Sequence, residues 1–193
     1  VMGVANRALS APINIHGDHS DMMGSRDCGW IQIYAENAQE AYDWVIQAFR
    51  IAEDPEVRLP VAVNLDGFIL SHCMEGATVL DDEAVKRFLP HRKAKYPLDP
   101  EKPLTIGALA LPDYYYEFKL QQEDAIRKAP EKIRETNREY EEISGRRYGI
   151  LDLYGMEDAE AAVVCLGSTG GTARAVARAL RKEGRKVGII KPW

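Results

Sequence analysis

Apolar and polar positions divide the chain into two ordered blocks with a long polar stretch between them. The opening run "VMGVAN", residues 1–6, reads as a strand. So does "GWIQIYAEN", residues 29–37, where Trp30, Ile31, Ile33 and Tyr34 are aromatic or β-branched. Asn37 ends that run and suits a helix N-cap, with Glu40 three residues on in the capping-box position. In "AQEAYDWVIQAFRIAED" Ala41, Trp44, Val45, Ala48, Phe49 and Ala52 recur at helical spacing, which predicts one buried stripe. Pro55 lies just past that helix, and "LPVAVNLDGF" then reads as a buried strand closed by an Asp-Gly turn. Strand, amphipathic helix and apolar strand form a βαβ unit, whose strands pair in parallel.

The pattern changes from Ser71 to about Tyr148. Pro90, Pro97, Pro100, Pro103 and Pro112 break regular structure. "PDYYYEF" reads as a segment that wraps over a neighbouring surface. "EKIRETNREYEEIS" reads as a charged helix with a thin stripe of Ile133, Tyr140 and Ile143, stopped at Gly145. Order returns at Ala161: "AAVVCLG" is a strand, "STGG" a tight turn, "TARAVARALRKEG" a helix and "KVGII" a strand. Ala173, Val176, Ala177 and Leu180 form its inner stripe, while Arg174, Arg178, Arg181 and Lys182 face water. This second βαβ unit marks the start of a second α/β domain.

Composition narrows the function classes. Hydrophobic residues make up 46% of the 193 positions, enough for a packed core. A net charge of -5 argues against nucleic-acid binding, which needs a basic face. No apolar run is long enough to span a bilayer, and no basic-then-apolar leader precedes the first strand. Cys28, Cys73 and Cys165 are odd in number and unpaired in spacing. That disfavours a disulfide framework or an iron–sulfur cluster held by this chain alone, and fits a reducing cytoplasm. The chain begins inside one apolar run and stops just after another, so it is expected to be a segment of a longer protein; a natural start at Met2 is the alternative.

Candidate chemistry concentrates in "NIHGDHSDMMGSRDCGWIQIYAEN". His16 and His19 with Asp18 or Asp21 form a possible chelate, but the spacing lacks the HxH or HExxH of a strong zinc signal. Cys28 or Cys73 beside a histidine is a nucleophile–base candidate without local support; each cysteine suits a small buried apolar role. "GSTGGT", residues 167–172, stands between a strand and a helix, where backbone N–H groups can cradle phosphate. It matches neither standard phosphate-loop pattern, and the alternative is a short turn capped by Thr169 or Thr172. Topology is more informative. Ligands of open parallel sheets sit at the carboxyl ends of the strands, here Asn6-Arg7, Glu36-Asn37 and Asp66-Gly67. Arg7 suits a two-pronged grip on a carboxylate; its alternative is a surface ion pair. Asn37 is foremost a helix cap, and Asp66 foremost shapes its turn.

"NRALSAPINIHGDHSDMMGSRDCGWIQIYAENAQEAYD" with "LDGFILSH" resembles the pyruvate-type α subunits of the 2-oxoacid:ferredoxin oxidoreductase family. The likeness continues through "GRRYGILDLY" and "AEAAVVCLGSTGGTARAVARALRKEGRKVGIIK", so it covers almost the whole chain. It implies an α/β fold: residues 1–148 as the C-terminal part of a thiamine-pyrimidine-binding domain plus a connecting segment, and 149–193 as the start of a transketolase C-terminal-like domain. It implies oxidative decarboxylation of a 2-oxoacid to acyl-CoA and CO2, with electrons passed to ferredoxin. By the resemblance, thiamine diphosphate is shared with a partner subunit. Mg and iron–sulfur clusters belong to partner subunits or domains, the β, γ and δ subunits among them, and coenzyme A is the acyl acceptor. Arg7 matches the arginine that binds the substrate carboxylate, and Ile13 an apolar position lining the thiamine pocket. Asp18, His19 and Arg26 fall in the family's GDHxD…R loop as surroundings of the site. The family's glutamate for the aminopyrimidine and its YPITP-like segment are expected before Val1, so this chain by itself is expected to be inactive. Related enzymes for 2-oxoisovalerate, 2-oxoglutarate or oxalate, a non-catalytic scaffold and a nucleotide-binding module are the competing readings.

Overall fold

The computed structural model describes residues 1–92, 94–107 and 109–193. In chain order it contains β1 (Met2–Asn6), α1 (Ser20–Met23), β2 (Ile31–Ala35), α2 (Ala38–Glu53), β3 (Val61–Asp66), α3 (Asp82–Phe88), α4 (Pro112–Ser144), β4 (Leu151–Tyr154), β5 (Ala161–Val164), α5 (Thr169–Lys182) and β6 (Val187–Pro192). The first three strands form a parallel sheet in the order β1-β3-β2. β3 lies in the centre and is the most buried, with Val61, Ala62 and Val63 all shielded from water. The register sets Asn6 opposite Asp66 and Ala35 opposite Leu65, so the carboxyl ends of all three strands share one rim.

α2 crosses between β2 and β3. Its N-cap is Asn37, whose side chain accepts the Glu40 N–H at 2.9 Å. The buried arc of α2 differs from the apolar stripe in the sequence. Trp44, Ala48 and Ile51 pack on Ile33, Val61 and Val63, but Val45 and Phe49 are exposed. The helix is turned towards α4 because Asp43 and Ile46 are buried on that side, Ile46 against Phe88 and Tyr140. Asp43 is inaccessible to water there. It accepts Tyr140 Oη at 2.6 Å, Tyr148 Oη at 2.5 Å, and Arg146 Nε and Nη2 at 2.6 and 2.8 Å.

The middle of the chain is more helical than the prolines suggest. Asp81 caps α3 through the Ala84 N–H at 2.9 Å. "PDYYYEF" does not wrap as an irregular segment; it forms the first turns of α4, with Pro112 at the helix start, where its missing N–H costs nothing. At 33 residues α4 is about 50 Å long, and it ends at Gly145, whose φ of 68° closes the helix. Ile133, Tyr140 and Ile143 do face the body, joined by Ala125, Ala129 and Thr136.

The second sheet has the order β4-β6-β5, with β5 and β6 parallel around α5 as a βαβ unit predicts. β4, which pairs antiparallel with β6, has no counterpart in that prediction. On α5, Ala177 is buried but Val176 is 53% exposed. Two of the arginines expected in water are instead engaged. Arg174 bonds Glu36 and Asp152, and Arg181 reaches Asp158 and the carbonyls of Gly155 and Val187. Packing selects which helix face turns inward, and an arginine with carboxylates to meet serves there as well as a valine. Trp193 closes the unit against the first sheet, with ring centroids 6.3 Å from Trp44 and 5.7 Å from Tyr148.

Candidate functional site

The carboxyl rim of the first sheet gathers most of the candidate residues. Arg7 follows β1 directly and is exposed. Its backbone N–H donates to Asp21 Oδ2 at 3.3 Å, and its guanidinium takes no part in an ion pair among the described residues. Beside it runs an exposed apolar segment, with Leu9 at 65%, Ile13 at 66% and Ile15 at 46% accessibility. Asn6, fully buried, donates from Nδ2 to Asp21 Oδ1 at 2.9 Å and to Asn64 Oδ1 at 3.1 Å.

The polar loop folds back onto this rim. Asp18 is exposed and accepts the Ser20 N–H at 2.7 Å; that bond, from side chain and backbone of Ser20, holds its carboxyl below the usual range. Arg26 is exposed and pairs loosely with neighbouring Asp27 at 3.4 Å, so it stands apart from the rim cluster. His19 turns inward. Its Nε2 lies 2.7 Å from Asp66 Oδ1, and its ring centroid 4.9 Å from that of Tyr34. Burial, with the charge of Asp21, pushes the Tyr34 hydroxyl up to about 12.

Asp66 holds more than its turn. Oδ2 accepts the Ser168 N–H at 2.8 Å and also the Ser168 hydroxyl. Burial alone would raise this carboxyl, but hydrogen bonds from His19 and from both donors of Ser168 outweigh it and hold the value low. The same bond to Asp66 raises His19 above its ordinary 6.5 against the opposing effect of burial, helped by the charges of Asp66, Asp21 and Asp18. The sign of the linkage follows. The raised His19 contributes stability fully below about pH 6.5 and loses it as pH rises through its higher folded value. The lowered Asp66 contributes above about 3.8 and loses its share as pH falls through its lower folded value. Between those limits both contribute. The melting temperature of the chain should therefore fall relative to that of a His19→Gln variant as pH is raised from about 6 to about 9. Two calorimetric curves that stay parallel across that range would show the pair to be uncoupled from folding.

The glycine-rich turn receives protein carboxylates. Gly167 has φ +59°, and a Cβ there would lie 2.6 Å from Asp66 Oδ1. A Cβ on Gly170 would lie 2.9 Å from Glu36 Oε2. Asp66 and Glu36 thus occupy the positive end of α5, the place a phosphate would take. Gly170 and Gly171 belong to the helix itself, and its N-cap is Ser168, not Thr169 or Thr172. Glu36 also meets buried Lys191, Nζ to Oε2 3.0 Å, and Lys191 reaches Glu40 Oε1 at 2.6 Å.

Other candidates lie apart. Cys28 and Cys73 are exposed rather than buried, and Cys165 is half-buried with its thiol pushed up by burial. His72 bonds its neighbour Ser71 and stacks on Phe68, and His16 packs edge-on against the same ring. Among the described residues no group of three or more His, Cys, Asp and Glu side chains is placed to hold a metal ion, and no helix is long and apolar enough to cross a membrane. A cleft of about 490 Å³ opens between α2, α4 and the segment after α3, away from the strand ends. Among the described residues its arginines and lysine are already paired, Arg50 with Glu139 at 2.9 Å, Arg92 with Glu53 at 3.5 Å and Lys132 with Glu56 at 3.0 Å. Ser168 and Lys191 escaped the sequence reading, which weighed Asp21 only as a metal ligand; the acidic ends of "LDG" and "YAEN" opposite a glycine-rich turn were the one hint of them.

Residues 1–138 match the family model described as "Pyruvate flavodoxin/ferredoxin oxidoreductase, thiamine diP-bdg". The pyruvate synthase subunit PorA of Thermotoga maritima is 54% identical over 194 residues, taking in 100% of this chain and 50% of that protein. Its counterpart from Methanosarcina barkeri is 47% identical, over 99% of this chain and 48% of its own length. The ketoisovalerate oxidoreductase subunit VorA of Pyrococcus abyssi is 41% identical, with 99% and 48% covered. Among solved structures, a 2-oxoglutarate:ferredoxin oxidoreductase from Magnetococcus marinus, with 2-oxoglutarate, coenzyme A and succinyl-CoA bound, superposes with a TM-score of 0.63. That alignment covers 98% of this chain and 36% of the other at 15% identity, a likeness of fold. The chain spans about half the length of the curated relatives it matches.

Proposed function

The chain belongs to the pyruvate flavodoxin/ferredoxin oxidoreductase family, and from that premise we propose that it supplies the pyrimidine side of a thiamine diphosphate site in a 2-oxoacid:ferredoxin oxidoreductase acting on pyruvate. The observation that carries this reading is the pairing of an unengaged guanidinium, Arg7, with exposed Leu9, Ile13 and Ile15 at the carboxyl rim of a parallel sheet. An aromatic ring fits the apolar segment, and a carboxylate fits the guanidinium. In this reading the diphosphate and its Mg are held by a partner subunit or domain, as membership of the family implies. Thiamine diphosphate, when bound, supplies the carbanion chemistry of decarboxylation. Within that scheme Arg7 grips the substrate carboxylate until it leaves as CO2. Ile13 lines the ring's side of the pocket and keeps water from it. Asp18 holds the start of α1, and His19 fastens the loop to Asp66. Arg26, exposed at the loop's far end, belongs to the surroundings.

Residues 1–148 then form part of the pyrimidine-binding domain with its connecting segment, and 149–193 begin the next domain. The end of α4 at Ser144 and the start of the second sheet at Leu151 support a boundary there. The β, γ and δ subunits, ferredoxin and coenzyme A complete the reaction, in the cytoplasm. A second reading, 2-oxoisovalerate as the acid, is favoured by the VorA relative at 41% identity. Comparing kcat/KM for the two acids on the assembled enzyme decides between them.

A hydrogen bond to a charged group contributes about 1.5–3 kcal/mol. An Arg7→Ala subunit in the assembled enzyme is therefore expected to lower kcat/KM for the 2-oxoacid by roughly tenfold to a few hundredfold. Unchanged kinetics would remove Arg7 from the site.

A further inference from the structure

We propose that Asp66 is a positioning residue, one carboxylate that fastens both the polar loop and the second sheet unit to the strand end beside Arg7 and so sets where that guanidinium stands. The inference rests on the reading of Arg7 as the carboxylate-binding group.

Asp66 is 7% exposed at the last position of the central strand, directly across the register from Asn6. Its two oxygens accept three hydrogen bonds from chain segments 47 and 102 residues away: His19 Nε2, the Ser168 N–H and the Ser168 hydroxyl. An aspartate that only shaped its own turn would need none of them. These bonds belong to a closed circuit. From His19 the loop runs two residues to Asp21, whose carboxylate takes Asn6 Nδ2 at 2.9 Å and the Arg7 N–H at 3.3 Å. Asn6 in turn accepts the Gly67 N–H at 2.8 Å, which returns to Asp66. The backbone that carries Arg7 is therefore held from both sides, by Asp21 and by Gly67; the Asp66 carboxylate anchors the first through His19, and the second is its neighbour in the chain. Ser168 extends the circuit to α5. Misplacement of a binding group by about 1 Å can cost on the order of a hundredfold in rate, so a circuit of this kind bears on catalysis without touching the substrate.

The test is a double-mutant cycle in the assembled oxidoreductase, using Asp66→Asn, Arg7→Ala and the pair. Asp66→Asn is expected to lower kcat/KM for the 2-oxoacid about tenfold, chiefly through KM. Amide exchange is expected to rise in residues 14–26 and 166–172. On the Arg7→Ala background the same change should cost almost nothing, because the group being positioned is gone. Equal costs in both backgrounds would mean that Asp66 supports the fold generally, and would overturn the proposal. So would lost activity without faster exchange, since Asp66 would then act directly. If Arg7→Ala alone has no effect, the reading of Arg7 fails first, whatever Asp66 does. Should Asp66→Asn not assemble, Ser168→Ala carries the same cycle with an expected loss of about threefold; an additive result there overturns the proposal equally.

Discussion

Replacing Asp43 by alanine is expected to destabilise the chain by about 3–5 kcal/mol, read as a shift in the urea midpoint at constant slope. The carboxylate is inaccessible to water and is the common acceptor of a two-pronged guanidinium and two phenols. Removing it leaves the Arg146 charge, 23% exposed, without its counter-ion. Tyr140 and Tyr148 then also lose the acceptor that, after burial, does most to raise their hydroxyls. The cost comes from stranding these groups more than from any bond lost. Asp43→Asn should cost less, since it keeps the shape and one acceptor oxygen. Pairing Asp43→Leu with Arg146→Met should recover much of the loss, because no charge is then left unpaired. A loss below about 1 kcal/mol for Asp43→Ala would mean that the cluster is hydrated and structurally idle.

That cluster also marks where sequence reading stops. The three parallel strands, the N-cap at Asn37 and the helix stop at Gly145 were legible because each is a local or periodic signal. The rim that carries Arg7 and Asp66 followed from the βαβ topology alone. The rotation of α2 away from its apolar stripe did not, because it depends on Asp43 meeting Arg146 and Tyr148 more than a hundred residues later. Such long-range polar contacts leave no period in the chain. Arg174 and Arg181 were misread for the same reason: on a helix face they look solvated, and only the fold reveals the carboxylates opposite them. "PDYYYEF" misled differently, since a proline that breaks a helix interior is equally suited to starting one. The candidate site was legible as a place. Its circuitry through Ser168 and Asp21 was not, because serine and aspartate at a turn look the same whether they serve the turn or a distant strand.

The second large effect is expected at the seam between the two sheets. Lys191 is inaccessible to water, bonded to Glu36 and Glu40, with its ammonium 4.8 Å from the Trp193 ring centroid. Lys191→Met keeps the length and apolar stem but removes the charge, leaving two carboxylates, each 11% exposed, without their shared partner. Glu36 retains Arg174 at 3.3 Å, whereas Glu40 has no other cation in reach among the described residues. The loss is therefore expected at about 3–5 kcal/mol and to arise mostly from Glu40. This makes the effect separable. Adding Glu40→Gln to Lys191→Met should restore stability, because the amide can still accept the Glu36 N–H that Glu40 Oε2 now takes at 2.7 Å. Adding Glu36→Gln instead should restore little and should leave Arg174 with Asp152 as its remaining carboxylate. Amide exchange locates the damage: residues 149–193 should open in Lys191→Met while β1, β2 and β3 stay protected, since the lost bonds join the units rather than hold either one. If Glu36→Gln rescues as well as Glu40→Gln, the two carboxylates share the charge equally, and the asymmetry argued from Arg174 is wrong.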